Sequence, residues 1–157
     1  MQSGTMAELA VRYLLVMLFF PFSALDKILN FRGAVAQAQQ VFPGQATATA
    51  LILAGLATEI VMPVGILTGV ADRLAALVMA GYCALTAVLW KQFWVPGDFW
   101  ASGESKARSL FWDFLKNFSL AGGFLLITIG TSPEERFNLF DNPLASSHPY
   151  SSWQGAR

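Results

Sequence analysis

Apolar residues fill long, nearly uninterrupted runs in this chain, and each run is long enough to cross a bilayer as a helix. A helix that spans a hydrocarbon core of about 30 Å needs about 20 apolar residues. The sequence offers such runs at about residues 9–30, 46–71, 73–95 and 109–130. Asp72 and Arg73 lie at the junction of the second and third runs and leave almost no loop between them, which predicts an antiparallel hairpin. We therefore predict an all-α membrane protein, an antiparallel bundle of four transmembrane helices.

Shorter patterns lie between and after these runs. From Arg32 to Phe42, apolar residues recur at helical spacing among three glutamines, which predicts a short interfacial helix between helices one and two. We assign residues 1–131 to the transmembrane domain and residues 132–157 to a C-terminal part. Ser132 and the residues that follow it predict a short capped helix there. The polar tail behind this helix should be poorly ordered unless a partner holds it.

Prolines and one acid interrupt the apolar runs. Pro21 should kink helix one and release the carbonyl of Met17. In the same way, Pro63 should release the carbonyl of Glu59, the one ionisable residue in the apolar run of residues 48–70. An ionised side chain near the bilayer midplane costs about 2.5 to 3.5 kcal/mol on insertion scales. Glu59 must therefore have a partner.

A basic residue is the partner that we expect for Glu59. By helical rise, Lys116 lies about 9 Å inside the start of its helix, which leaves a vertical gap of about 6 Å to Glu59. The corresponding gap to Arg12 is about 10 Å. The sequence thus predicts a pair between Glu59 and Lys116, with Arg12 as the alternative. A Glu59 that is unpaired and protonated would favour a proton-coupled transporter.

Polar residues also gather where helix one ends, helix three ends and helix four begins. These residues are Asp26, Lys27, Lys91, Asp113, Lys116 and Asn117. A polar cavity is predicted around Lys116 and Asn117, while Lys91 fits an interfacial anchor. The candidate binding or network residues are Glu59, Lys116, Asn117, Lys27, Arg12 and Asp113. No catalytic residue can be named.

Aromatic and small residues give two further predictions. Trp90, Trp94, Trp100 and Trp112 lie on the same side as the polar residues. They predict an aromatic belt, with a tryptophan-walled cavity as the alternative. The Gly65 to Gly69 face and the Ala76 to Ala84 stripe predict close helix contacts.

Composition narrows the function classes. Hydrophobic residues make up 55% of the chain and charged residues 13%, which is too apolar for an ordinary soluble domain. Ten basic and ten acidic residues cancel, so nucleic acid is not an expected partner. With a single cysteine and a single histidine, we expect no metal site, no intrinsic cofactor and no self-contained redox enzyme. The loops and termini on the two sides of the membrane carry equal numbers of basic residues, so these charges do not define the orientation. The two-residue loop between helices two and three favours both termini on the cytoplasmic side.

The chain resembles the DoxX family of small four-helix membrane proteins over about residues 11–130. The resemblance rests on Arg12, on Lys27 followed by Phe31, on the segment from Glu59 to Ala76 and on the segment from Lys116 to Gly123. Two departures stand out. Ser23 replaces a usual glycine, and Lys91-Gln92 replaces a histidine that many members carry, which weakens an inherited metal or proton role there.

This resemblance implies an association with quinone, thiosulfate or thiol redox systems in the bacterial inner membrane and with oxidative stress. Our first hypothesis is a membrane module that binds a small molecule such as a quinone or supports a partner oxidoreductase. A small proton-coupled transporter and a purely structural subunit are the alternatives. The sequence leaves open whether the chain forms a homo-oligomer.

Overall fold

The computed structural model describes residues 2–130 and 142–150, and every regular element in them is a helix. The helices are α1 (Gln2–Met17), α2 (Phe20–Leu29), α3 (Phe31–Gln39), α4 (Gln45–Thr68), α5 (Asp72–Trp90) and α6 (Lys106–Ile129). Four stretches are long and apolar enough to cross a membrane: Thr5–Leu29, Gln45–Thr68, Asp72–Trp90 and Lys106–Ile129. The predicted all-α fold with four spans is confirmed, and the chain is a multi-pass membrane protein. The short helix predicted after Ser132 lies outside the described residues.

The first span consists of two helices. The helix is interrupted at residues 18–19, and Pro21 lies in the first turn of α2, where its missing N–H leaves no hydrogen bond unmade. The kink predicted at Pro21 is confirmed as this interruption. Because Ser23 and Lys27 are four residues apart in α2, they share one helix face.

The short helix between the first and second spans packs on the protein. Val35 and Ala38 of α3 are buried together with Ala48 of α4. Ile52 and Trp90 pack around this small cluster. The predicted helix is therefore present, and it joins the first half of α4 to the end of α5.

The main core lies where α5 meets the other spans. Its buried residues are Val16, Phe20, Ile66, Ala75, Ala76, Met79, Ala80, Cys83, Ala121 and Phe124. Half of them belong to α5, which packs most extensively on α6 and α4. The small residues of α5 allow this close approach. Across the bundle, the rings of Phe20 and Phe124 lie 5.7 Å apart between centroids.

The predicted glycine contacts hold for one of the two glycines. A Cβ at Gly65 would lie 3.1 Å from the Cβ of Ala75, so Gly65 is a true contact between α4 and α5. Gly69 instead ends α4 in the left-handed region, with φ of 76°. Its neighbour is Pro149 of the C-terminal segment, 3.0 Å from an added Cβ. The prediction of a helix contact at Gly69 is wrong, because the chain turns there.

The C-terminal segment of residues 142–150 packs against the α4–α5 turn. The backbone N–H of Ser147 donates to Oδ1 of Asp72 at 2.9 Å, and the Tyr150 hydroxyl donates to the carbonyl of Leu67. Pro149 is buried, and burial also raises the pKa of the Tyr150 hydroxyl. The expectation of a poorly ordered tail is therefore wrong for these nine residues, because buried polar groups of the turn bind them.

The α5–α6 loop is held to the start of α6. Asp98 accepts hydrogen bonds from the backbone N–H groups of Lys106 at 2.7 Å and Ala107 at 2.9 Å. The bond from Ala107 is the main cause that lowers the pKa of Asp98. The ring of Phe93 also contacts those of Phe111 and Phe114 of α6.

We predict that Gly65→Leu lowers the thermal stability of the purified protein, since the side chain would push α4 away from Ala75. Overpacking of this kind costs about 1–3 kcal/mol. Gly81→Leu is the matched control, because no atom lies within 4 Å of an added Cβ at that position of α5. Thermal unfolding in mild detergent measures both variants. Equal melting temperatures for the two variants would contradict the packing described here.

Candidate functional site

Glu59 forms an ion pair with Lys27. The Glu59 residue is only 2% exposed, and Nζ of Lys27 lies 2.9 Å from both of its carboxylate oxygens. This contact joins α2 to α4. The predicted partner Lys116 is wrong: its side chain is 72% exposed, and its Nζ lies 3.5 Å from Oδ1 of Asp113.

Two hydroxyl groups complete the environment of Glu59. Ser23 donates to Oε1 at 2.8 Å and Tyr82 donates to the same oxygen at 2.9 Å. Lys27 also donates to Oγ of Ser23 at 2.7 Å. Tyr82 belongs to α5 and packs over Gly55 of α4, where an added Cβ would lie 3.4 Å from the tyrosine ring. The network thus connects three of the bundle's helices at one buried carboxylate.

Depth along the membrane normal does not by itself identify Lys27 as the partner of Glu59. Helical rise gives the height of a residue in a straight span, but it does not give the direction in which a helix presents its side chain. The interruption at residues 18–19 also makes α2 a separate helix. One local signal pointed to Lys27, because Ser23 and Lys27 form a polar i, i+4 pair in an otherwise apolar helix.

Arg12, the alternative partner, belongs to a different cluster. Its Nη1 donates to Oδ2 of Asp72 at 2.7 Å and to the carbonyl of Ile66 at 2.8 Å. Its Nη2 donates to Oγ of Ser147 at 2.8 Å. Arg12 is 4% exposed and Asp72 is 0% exposed. This buried pair ties α1 to the α4–α5 turn and to the C-terminal segment, so Arg12 is not a partner of Glu59.

A cavity of about 210 Å³ adjoins the Glu59 network. Its apolar walls include Phe19, Phe20, Leu51, Ile52 and Trp90. Its polar lining is Ser23, Lys27, Gln37, Glu59, Tyr82, Thr86, Lys91 and Asn117. The cavity is therefore amphipathic, with a charged pair that is already neutralised. A predicted cavity exists in this part of the bundle, but it opens beside Lys27 and Glu59 instead of beside Lys116.

Asp113 holds two of the lining side chains. Lys91 donates to Oδ2 of Asp113 at 3.0 Å, and Nδ2 of Asn117 donates to the Asp113 carbonyl at 2.9 Å. Lys91 is thus more than an interfacial anchor. Among the six predicted residues, the structure brings Lys27, Glu59 and Asn117 to the cavity, whereas a binding role for any of them stays a prediction.

The four tryptophans divide between the two predicted arrangements, an aromatic belt and a cavity wall. Trp90 lines the cavity, and its Nε1 donates to the carbonyl of Gln37 at 3.3 Å. Trp94, Trp100 and Trp112 are 53%, 91% and 59% exposed. One tryptophan therefore walls the cavity, and the other three have the exposure that suits an aromatic belt.

A second cavity, also of about 210 Å³, lies next to the first. Lys27, Ala34, Gln37 and Ile52 line both cavities. Asp26, Asn30 and Gly33 line the second cavity alone. Lys27 thus stands between an inner amphipathic space and a more polar one at the end of α2. Within residues 2–130 and 142–150, no three His, Cys, Asp or Glu side chains are grouped as a metal site requires.

We predict that Glu59 and Lys27 are energetically coupled and that Glu59 and Lys116 are not. Glu59→Gln and Lys27→Met should each destabilise by about 3 kcal/mol, because each strands a partner, and the double variant should lose less than the sum. A double-mutant cycle on thermal or denaturant stability measures the coupling. Lys116→Met is the matched control and should add to Glu59→Gln without coupling. Additive effects for Glu59 and Lys27 would refute the pair.

Comparisons with known proteins identify the family. The family model described as DoxX matches residues 7–92, which include Arg12, Lys27, Glu59 and Tyr82. Neither the curated proteins nor the solved structures gave a match. The match ends before α6, so the segment from Lys116 to Gly123 lies outside it. Because the match covers more than half of the 157 residues, the chain belongs to the DoxX family.

Proposed function

We propose that this protein is a membrane module that binds a small amphipathic molecule of the quinone type in the cavity beside Glu59. In this role it serves as an accessory component of a redox or oxidative-stress system in the bacterial inner membrane. The observation that carries the proposal is the cavity itself, which combines aromatic walls with a hydrogen-bonding end. Such a combination is typical of small-molecule sites.

The size and lining of the cavity fit an aromatic ring. A volume of about 210 Å³ exceeds the 150 Å³ or so of an engineered apolar cavity that takes benzene. Trp90 lines the cavity and is held by its bond to Gln37, so it presents a fixed aromatic surface to the cavity. The polar side chains at the Glu59 end would orient the ring oxygens.

The accessory role follows from the few redox-capable side chains of this chain. Its only cysteine, Cys83, is 1% exposed within the main core. Its only histidine, His148, lies in the C-terminal segment, away from the cavity lining. Electrons that reach a bound quinone would therefore come from a partner oxidoreductase.

The contacts of Glu59 favour this binding module over a proton-coupled transporter. A transport path through Glu59 requires an acid that can exchange its proton readily. In this protein the carboxylate has an ion pair with Lys27 and bonds from Ser23 and Tyr82. These contacts from α2 and α5 hold the carboxylate in one arrangement.

We predict that the protein in lipid nanodiscs binds decylubiquinone saturably, and that filling the cavity abolishes this binding. Gly55→Leu projects a side chain into the cavity and should weaken binding at least about tenfold, a change of about 1.4 kcal/mol. Titrating the quenching of tryptophan emission measures the affinity, and the Trp90→Phe variant identifies the part of the signal that comes from the cavity.

Gly81→Leu is the matched control for this assay, because it adds the same side chain at a position with open space around it. It should bind like the unmodified protein. Equal affinities for the unmodified protein and for a folded Gly55→Leu variant would contradict the proposal, since the probe would then partition into lipid or bind elsewhere. A purely structural subunit would give that result.

A further inference from the structure

The hydrogen bonds at the Glu59 end of the cavity specify which kind of group a ligand must present there. Lys27 has three N–H donors, and its Nζ contacts Oγ of Ser23 at 2.7 Å and both oxygens of Glu59 at 2.9 Å. Ser23 and Tyr82 each have one hydroxyl proton, and both donate it to Glu59. These three side chains therefore have no donor to spare.

Acceptor capacity remains at the same place. A carboxylate offers about four lone-pair sites, two on each oxygen. Oε1 of Glu59 receives bonds from Ser23, Lys27 and Tyr82, whereas Oε2 receives only the bond from Lys27 among the described residues. Glu59 lines the cavity, and one lone-pair site of Oε2 is left for a further hydrogen bond.

We propose that the ligand presents a hydroxyl group to Glu59, so that the site takes a phenol or hydroquinone in preference to an oxidised quinone. This inference rests on the proposed function, of which it names the ligand class. A quinone carbonyl carries only acceptor lone pairs, and it would face a carboxylate oxygen without a proton between them. A phenolic O–H donates to that oxygen in a charge-assisted bond.

The charge balance of the site agrees with a neutral ligand. Lys27 already neutralises Glu59 at 2.9 Å, so the end of the cavity attracts neither a cation nor an anion by net charge. An ammonium group would meet Lys27 as a like charge, and a carboxylate would meet Glu59 as one. An uncharged hydroxyl avoids both repulsions.

Two other residues of the cavity lining, Lys91 and Asn117, have the complementary property. Lys91 uses one of its three N–H donors on Asp113, and Asn117 uses one of its two amide N–H donors on the Asp113 carbonyl. Donors therefore remain on these two residues. A hydroquinone suits both places, because each of its hydroxyl groups can donate at one position and accept at another.

A pair of redox-inert probes tests this inference. Para-heptylphenol and para-heptylanisole share the ring and the alkyl chain, but the methyl ether has no donor. We expect the unmodified protein in nanodiscs to bind the phenol at least about tenfold more tightly than the ether, since a hydrogen bond to a charged group is lost. Tryptophan emission, followed during titration, gives both Kd values, and decylubiquinol and decylubiquinone provide a second pair.

A variant that removes the acceptor without stranding a charge makes the test specific. In the double variant Glu59→Leu with Lys27→Met, position 59 has no hydrogen-bond acceptor, and the preference for the phenol should disappear while the ether still binds. Lys116→Met is the matched control, since its side chain is 72% exposed and outside the cavity lining. It should keep the preference.

The outcomes separate this inference from the proposed function. Equal or tighter binding of the ether, or a preference that survives in the double variant, would overturn the hydroxyl assignment while ring binding in the cavity stands. If neither probe nor decylubiquinone binds saturably, or if Gly55→Leu leaves all affinities unchanged, the proposed function itself falls. A tenfold preference that depends on Glu59 supports both.

Discussion

A carboxylate in the apolar part of α4 is the constraint on which this bundle depends. Lipid cannot solvate Glu59, and a charge without a partner there is costly. Lys27 from α2 and Tyr82 from α5 reach it, together with Ser23. Satisfying one acid therefore fixes how three helices are rotated relative to one another. Because lipid tails are as apolar as the helix surfaces, such polar contacts specify an arrangement that apolar packing alone would leave less defined.

The need to pair a buried charge is also met at the α4–α5 turn. Arg12 and Asp72 form a buried pair, and Ser147 contributes hydrogen bonds to both. Between this cluster and the Glu59 network lies the main core, where small residues of α5 let neighbouring helices approach. The polar clusters differ in one respect that bears on function. The Arg12 cluster is covered by the C-terminal segment, whereas the Glu59 network adjoins a cavity large enough for a ring.

The sequence predicts the features of this protein that depend on local pattern. The spans follow from the lengths of the apolar runs, the interruption near Pro21 follows from proline chemistry, and the need of Glu59 for a partner follows from the bilayer. The identity of that partner depends on how helices face one another, which a comparison of depths does not contain. Lys116 has a suitable depth but faces outward, while Lys27 lies near the end of its apolar run, where the pattern predicts the membrane surface. The sequence pattern does not indicate the contacts of Ser147 for a related reason, because its partners Arg12 and Asp72 lie 135 and 75 residues away in the chain.

The most direct test of this account is a distance between the Lys27 nitrogen and the Glu59 carboxyl carbon in a bilayer. Solid-state NMR on protein labelled with ¹⁵N-lysine and ¹³C-glutamate measures this dipolar coupling, and Lys27–Glu59 is the Lys–Glu ion pair that the described residues contain. We expect a strong coupling, as required by nitrogen–oxygen distances of 2.9 Å, which disappears in Lys27→Met and persists in Lys116→Met. Absence of the coupling, or its loss in Lys116→Met, would contradict the account.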